Sequence, residues 1–97
     1  AIPTAIFASN DSMAAGIMKS AQMKGLKIPE DISLAGFDDS PIAHQLWPAL
    51  TTVKQPVEKM SGHAAKILMA KFDGLAEKNK SREFKSELIF RESLKNL

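Results

Sequence analysis

The first forty residues alternate between strand-like and helix-like patterns. Residues 4–8 form a short apolar run, a helical pattern ends at Lys24-Gly25, and residues 32–37 form a second apolar run. About a dozen helical residues between two strands predict a βαβ unit, whose strands must be parallel and whose crossover is almost always right-handed. The sequence therefore predicts an α/β fold built on a parallel sheet.

The same alternation continues to the end of the chain. Four further elements are predicted from capping residues, β-branched runs and apolar periodicity: a short helix from Ser40-Pro41 to before Pro48, a strand at 50–55, a helix from Pro56 to Asp73-Gly74, and a strand at 84–90 after a polar connection at 75–82. We expect a partial three-layer α/β/α sandwich with a mainly parallel sheet.

Composition excludes several classes of protein. The 97 residues are 44% hydrophobic and 25% charged, which is ordinary for a globular chain. No apolar run reaches the roughly 18 residues that a membrane helix needs. The chain has no cysteine, which excludes a disulfide framework or a thiolate metal site and fits a cytoplasmic protein. The net charge is +2, but basic and acidic residues are interleaved, and we interpret the basic run at 78–82 as a solvated loop.

The N-terminus suggests a piece of a longer protein. The chain opens with Ala1 instead of Met and enters a strand-like segment almost at once. No basic segment followed by an apolar one, as in a secretory leader, stands at this end. We therefore expect a fragment or a processed product.

Polar residues follow three of the predicted strands. Asn10-Asp11 comes after the first strand, Asp38-Asp39 after the second, and Gln55 ends the third. Ligands of open parallel α/β sheets bind outside the carboxyl ends of the strands. If the three strands are parallel, these side chains share one rim, and two amides with a carboxylate can bind a small molecule rich in hydroxyl groups.

Capping and turn formation are the alternative roles for these residues. A structural role is favoured for Asp11, which leads directly into a helix, and a turn role for Asp39, because adjacent residues at a strand end point in different directions. Ligand contact is favoured for Asn10 and Asp38. Charge-assisted hydrogen bonds are the stronger ones, so Asp38 is expected to be the anchor.

No catalytic or metal-binding constellation is evident. A phosphoacceptor receiver domain gathers similar residues, but their order here is wrong for it: Asp11, Asp38, Asp39, Thr52 and Lys54. There is no nucleophile elbow or phosphate-binding glycine loop, and His44 and His63 are far apart and interpreted as surface residues. The five methionines are expected to fill the core, whereas Trp47 fits either a packing or a partner-contact role. We predict neither an enzyme nor a cofactor.

Five segments together resemble one family. Residues 4–16 are similar to the AIFAxND-x-MAxG signature of the LacI/GalR bacterial repressors, and three more runs match in order: Gly25–Ser33, Gly36–Asp39 and Pro48–Pro56. Leu88–Ser93 is similar to the closing strand of that family. The resemblance covers nearly the whole chain and is specific to the family, not to one member.

The resemblance implies the C-terminal part of an effector-sensing domain of the periplasmic-binding-protein type. It implies a homodimer that meets operator DNA only through an N-terminal helix-turn-helix outside this chain. The effector is expected to be a sugar, although purines and other ligands occur in the family. Residues 1–55 would belong to the C-terminal lobe, and residues 56–97 mainly to the other lobe. The alternative is a periplasmic sugar-binding protein of a transporter.

Family positions for effector contact fall on Asn10, Asp38 and Gln55, the residues that the strand-end reasoning selects. The resemblance also implies a dimer face on the first helix and the segment before Pro48. Its residues would be Met13, Ala15, Ile17, Ile42, Leu46 and Trp47.

Overall fold

The computed structural model describes residues 2–74 and 82–96. The helices and strands follow each other as β1 (Ala5–Phe7), α1 (Asp11–Met23), β2 (Ser33–Ala35), α2 (Pro41–Gln45), β3 (Thr52–Lys54), α3 (Val57–Phe72) and β4 (Glu87–Ile89). Every element that the sequence predicts is present, although the strands are shorter than expected. Most of the predicted connection at 75–82 lies outside the described residues.

Strand β2 is central to the parallel part of the sheet. It pairs with β1 in parallel, with Ile6 opposite Leu34. On its other edge, the N–H of Gly36 donates to the carbonyl of Thr51 at 2.9 Å, and a parallel bridge joins Ala35 to Thr51. Strands β1, β2 and β3 therefore run in one direction, and the predicted α/β class with a mainly parallel sheet is confirmed.

Strand β4 lies antiparallel to β3, with Val53 opposite Leu88. The chain accordingly divides into two compact units, one of Ala1–Lys54 with Glu87–Leu97 and one of Gln55–Ser86. The family resemblance implies that residues 56–97 belong mainly to the other lobe. In the structure, β4 pairs with β3, and Glu87–Leu97 form one compact unit with Ala1–Lys54. The lobe that each segment joins in an intact regulator stays a prediction.

Ser93 forms hydrogen bonds with Leu34 of β2 and with Thr51, the residue directly before β3. Its carbonyl accepts from the N–H of Leu34 at 2.9 Å, and its hydroxyl donates to the carbonyl of the same residue. The hydroxyl also accepts from the N–H of Thr51 at 2.8 Å. Ser93 is also fully buried. Through these hydrogen bonds, the segment after β4 becomes part of the sheet.

The core of the first unit is small and rich in alanine. Its buried side chains come from both helices and from the sheet: Ala8, Ala14, Met18, Leu34, Ala43 and Leu50. The buried face of α1 is Asp11, Ala14, Met18 and Ala21, at steps of three and four residues. The expectation that all methionines fill the core is wrong, because Met13, Met23, Met60 and Met69 lie on helix faces that the chain leaves exposed.

The ends of α1 follow the sequence. Asn10 is the N-cap, and its Oδ1 accepts from the N–H of Met13 at 2.8 Å. After the helix, Gly25 has a φ of 74°, and the N–H of Leu26 donates to the carbonyl of Ala21 at 2.9 Å. This is the left-handed C-cap that the Lys-Gly pair predicts.

In the second unit, the apolar stripe of α3 is largely exposed. Val57 is 61% exposed, Leu68 58% and Phe72 87%. Within the described residues, no helix has the length and apolar character needed to span a membrane.

Candidate functional site

Asn10 and Asp38 lie at the same edge of the sheet. Each follows a strand, and the two strand ends are joined by a hydrogen bond of 3.1 Å from the N–H of Asp11 to the carbonyl of Phe37. The Oδ1 of Asn10 accepts the capping hydrogen bond of α1. The amide nitrogen of Asn10 is therefore the group that can donate a hydrogen bond to a ligand. The structure thus brings together two of the three residues that the sequence predicts for effector contact.

Asp38 stands in an unusual backbone conformation. Its φ is 112°, a region that residues other than glycine seldom adopt, and its N–H donates to the carbonyl of Val53 at 2.8 Å. The side chain is exposed and makes no hydrogen bond within the described residues. Residues held in such conformations cost about 1–3 kcal/mol each and cluster at ligand sites. Asp38 therefore offers a free carboxylate on a constrained backbone.

Asp39 points inward, as its predicted turn role requires. Its φ is 53°, and its N–H donates to Oγ1 of Thr52 at 3.3 Å. Its Oδ1 accepts from Nη2 of Arg91 at 2.7 Å, in an ion pair whose side chains are 11% and 12% exposed. The two neighbouring aspartates therefore have different surroundings, one free at the surface and one paired.

Asp11 is a buried structural residue. Only 1% of it is exposed, and both carboxylate oxygens are occupied. Oδ1 accepts from the hydroxyl of Thr52 at 2.7 Å, while Oδ2 accepts from the N–H of Ser40 at 2.8 Å and from its hydroxyl at 3.1 Å. Ser40 precedes α2 as predicted, but its hydroxyl goes to Asp11 and makes no cap bond. The structural role predicted for Asp11 is confirmed.

Close packing around Asp11 depends on Gly36. A Cβ atom at position 36 would lie 2.4 Å from Oδ1 of Asp11 and 2.9 Å from Cδ2 of Leu50. Neither neighbour can move easily, because both are buried. Gly36 is thus required by the close approach of helix α1 to the end of β2.

Gln55, the third residue predicted for effector contact, belongs to the second unit. It is half-buried, and its carbonyl accepts from the N–H of Val57 at 2.9 Å. Its place on a rim shared with Asn10 and Asp38 stays a prediction.

The residues predicted for the dimer face differ in exposure. Met13 and Trp47 are 53% and 79% exposed, whereas Ile17 and Leu46 pack partly against the core. A surface groove of about 430 Å³ lies between α1 and the segment after α2, and its lining includes Ala15, Leu46 and Trp47. Ile42 is half-buried.

The two histidines lie in different surroundings. His44 is exposed, as expected, and its Nε2 lies 3.2 Å from Nη2 of Arg91. His63 is half-buried in the second unit, so the expectation of a surface residue is wrong there. Its ring packs edge-to-face with that of Phe84, with 5.8 Å between the ring centroids. Within the described residues, no group of three or more potential metal ligands comes together.

Sequence reasoning missed Arg91 and Ser93 as residues of the site's framework. Both belong to the run Phe90-Arg91-Glu92-Ser93, where a strand pattern directs attention to the apolar positions. Asp39, which pairs with Arg91, lies 52 residues before it in the chain. Thr51, which bonds to Ser93, lies 42 residues before it. The available signal was the position of an arginine and a small polar residue directly after a predicted strand. The alternation of apolar residues in that strand does not explain either of them.

Known proteins with similar sequences and structures give this geometry a context. The sequence-family model of the periplasmic binding protein-like domain matches residues 1–94. The HTH-type transcriptional repressor PurR of Vibrio cholerae serotype O1 (strain M66-2) is 38% identical over 95 residues, which are 98% of this chain and 28% of that protein. The ribose operon repressor of Halalkalibacterium halodurans is 38% identical over 90 residues, which are 93% of this chain and 27% of that protein. The chain thus spans less than a third of these relatives.

Two solved structures have the same fold. The Lac repressor dimer bound to operator and the anti-inducer ONPF superposes with a TM-score of 0.85 at 30% identity, covering 96% of this chain and 32% of that one. A periplasmic binding protein/LacI transcriptional regulator from Alkaliphilus metalliredigens, complexed with D-xylulofuranose, gives a TM-score of 0.87 at 31% identity, covering 96% and 35%. Because the family model matches residues 1–94 of the 97, the chain belongs to the periplasmic-binding-protein-like domains, in the form found in LacI-family transcriptional regulators.

Proposed function

We propose that the chain is part of the effector-binding domain of a LacI-family transcription repressor, where it supplies one wall of the effector cleft and one face of a homodimer. The observation that carries this proposal is the pair of Asn10 and Asp38 at the carboxyl ends of neighbouring parallel strands. Both side chains keep polar groups free at the edge where α/β sheets bind ligands.

A sugar or a related small molecule suits this pair of groups. The carboxylate of Asp38 accepts hydrogen bonds from hydroxyl groups, and the amide nitrogen of Asn10 donates to their oxygens. Gln55, the third residue predicted for effector contact, would add a second amide. The relative complexed with D-xylulofuranose and the one named for the ribose operon support a sugar as the effector class.

Effector binding acts by shifting a conformational equilibrium. The effector lies between two lobes and stabilises their closed arrangement, which changes the operator affinity of the dimer. Operator contact is made by an N-terminal helix-turn-helix outside this chain. The chain itself binds and carries out no chemistry, in keeping with relatives that are repressors. Such a regulator works in the cytoplasm, where the operator is.

The dimer face is proposed on α1 and the segment after α2. The exposed side chains of Met13 and Trp47 support it, because large apolar groups at the surface of a folded unit mark contact sites. The remaining residues of this face are Ala15, Ile17, Ile42 and Leu46. The related Lac repressor was solved as a dimer.

A thermal-shift screen of the intact regulator against sugars and nucleobases tests the function. We expect one sugar to raise the melting temperature, and Asp38→Asn to weaken its binding about tenfold or more, because a hydrogen bond to a charged group is lost. Glu30→Gln is the matched control, since Glu30 is also exposed but precedes β2 instead of following it. Equal affinities of the Asp38→Asn variant and the parent for that sugar would remove the proposed site.

The N-terminal sequence of the intact protein separates the regulator from the transporter alternative. A helix-turn-helix supports the repressor, and a secretory leader supports a transport protein. Both curated relatives described above are repressors, which favours the first outcome.

A further inference from the structure

Arg91 gathers three groups beside the turn that carries Asp38. Its Nη2 donates to Oδ1 of Asp39 at 2.7 Å, and its Nη1 donates to the carbonyl of Leu50 at 2.9 Å. Nε2 of His44 lies 3.2 Å from the same Nη2. The side chain of Arg91 is 12% exposed, so water screens its ion pair with Asp39 only weakly.

The turn itself needs outside support. Asp38 and Asp39 have φ values of 112° and 53°, and two consecutive non-glycine residues with positive φ persist only where the surroundings hold them. Two backbone hydrogen bonds contribute, from Asp38 to the carbonyl of Val53 at 2.8 Å and from Asp39 to Oγ1 of Thr52 at 3.3 Å. The second of these is long, so the backbone of Asp39 is weakly bound. The ion pair with Arg91 is the strongest contact that this residue makes.

We propose that Arg91 is a positioning residue for the candidate effector site. By holding the side chain of Asp39, it keeps the preceding Asp38 in its positive-φ conformation and so directs the free carboxylate outward at the sheet edge. Arg91 acts through Asp39 and does not itself touch the effector. This inference rests on the proposed function, in which Asp38 is the anchor.

Arginine suits this role better than lysine. The planar guanidinium reaches the carboxylate of Asp39 and the carbonyl of Leu50 with two different nitrogens at once. A lysine ammonium is a single point charge that would keep the ion pair and lose the fixed orientation. We therefore expect Arg91→Lys to support the turn partly and Arg91→Gln to support it least.

Nuclear magnetic resonance of the isotopically labelled chain tests the proposal without any effector. A positive φ places the amide hydrogen close to the Hα of the same residue, so Asp38 should give a strong intraresidue Overhauser effect. In Arg91→Gln we expect this signal to fall and the amides of Asp38 and Asp39 to exchange about tenfold faster. The amide of Ala8, bonded to the carbonyl of Ala35 at 2.8 Å, is the internal control and should be unchanged.

Asp39→Asn makes the test independent of the folding of the arginine variant. It removes the charge of the acceptor and leaves the bond from Arg91 to Leu50 in place. If Arg91 acts through Asp39, this variant reproduces the loss at Asp38, and the double variant is no worse than either single one. A wild-type signal at Asp38 in both single variants would overturn the proposal.

Failure of this inference can be told apart from failure of the proposed function. An unchanged turn in the variants contradicts the role of Arg91 while leaving the effector site intact. An effector affinity insensitive to Asp38→Asn in the intact regulator removes the site that Arg91 serves. Loss of sugar affinity in Arg91→Gln with partial recovery in Arg91→Lys supports both.

Discussion

The hydroxyl of Thr52 donates a hydrogen bond of 2.7 Å to Oδ1 of Asp11, at a place where both residues are buried. The other oxygen of the same carboxylate is bound by Ser40. One side chain therefore connects the start of α1 with β3 and with the segment before α2. The stability of the first unit should depend on this contact.

Replacing Thr52 with valine removes the hydroxyl and keeps the shape of the side chain. We expect the free energy of unfolding to fall by about 1–3 kcal/mol, because a buried carboxylate oxygen loses its donor. Urea denaturation followed by circular dichroism measures the change. Thr4→Val, at an exposed threonine of the same unit, should change stability by less than about 0.5 kcal/mol. Equal stabilities of the two variants would contradict the role of Thr52.

Gly36→Ala and Gly16→Ala should shift stability in opposite directions. At position 36 the new Cβ would collide with Asp11 and Leu50, so we expect a loss of about 1–3 kcal/mol. At position 16, on the exposed face of α1 with open space around it, alanine should stabilise the helix by about 0.5–1 kcal/mol. Thermal melting of the two variants gives the comparison, and an unchanged or higher melting temperature for Gly36→Ala would show that the predicted collision is absent.

The isolated chain should associate with itself through the exposed face of α3. Burying side chains such as Leu68 and Phe72, which are 58% and 87% exposed, recovers about 1.5–3 kcal/mol each. Sedimentation velocity over a concentration series should detect dimers or larger species, and Leu68→Gln or Phe72→Gln should reduce them. Lys66→Gln, at an exposed polar position of the same helix, is the control. A parent chain that stays monomeric throughout the series is the contrary result.

Trp47 reports on the proposed dimer face because it is the only tryptophan of the chain. It is 79% exposed, so its fluorescence in dilute solution should be that of a water-exposed indole. In the Phe72→Gln background, which suppresses association through α3, dimerisation at higher concentration should move the emission to shorter wavelength. Trp47→Ala should raise the dimer dissociation constant more than tenfold, as large aromatic residues at interface centres commonly do.

Met23→Ala is the matched control for Trp47→Ala. Met23 is also apolar and 79% exposed, and it lies on α1 outside the predicted dimer residues. Its replacement should leave the dissociation constant unchanged. A tryptophan emission that is independent of concentration would place the dimer face elsewhere.

The order of elements could be predicted because it depends on local signals. Gly25 has the left-handed cap conformation, and Pro41 opens α2, as the sequence indicates. The buried face of α1 could not be predicted from apolar residues alone. It begins with Asp11, a charged residue whose burial depends on donors from Thr52 and Ser40, far along the chain.

The candidate site was predictable to a similar extent. Asn10 and Asp38 follow strands, so the topology of a parallel sheet places them at one edge. The ion pair between Arg91 and Asp39 could not be foreseen, because no spacing rule connects residues 52 positions apart. It depends on β4 returning beside β3, which the sequence pattern leaves open.

The burial of Ser93 between β2 and β3 has a consequence for how the protein is made. Leu34 and Thr51 form hydrogen bonds with Ser93, which lies 59 and 42 residues further along the chain. While the ribosome is still adding the residues between them, these strand edges have no such partner, and unpaired edges favour aggregation. We expect the first unit to reach its native state only after Ser93 has left the exit tunnel.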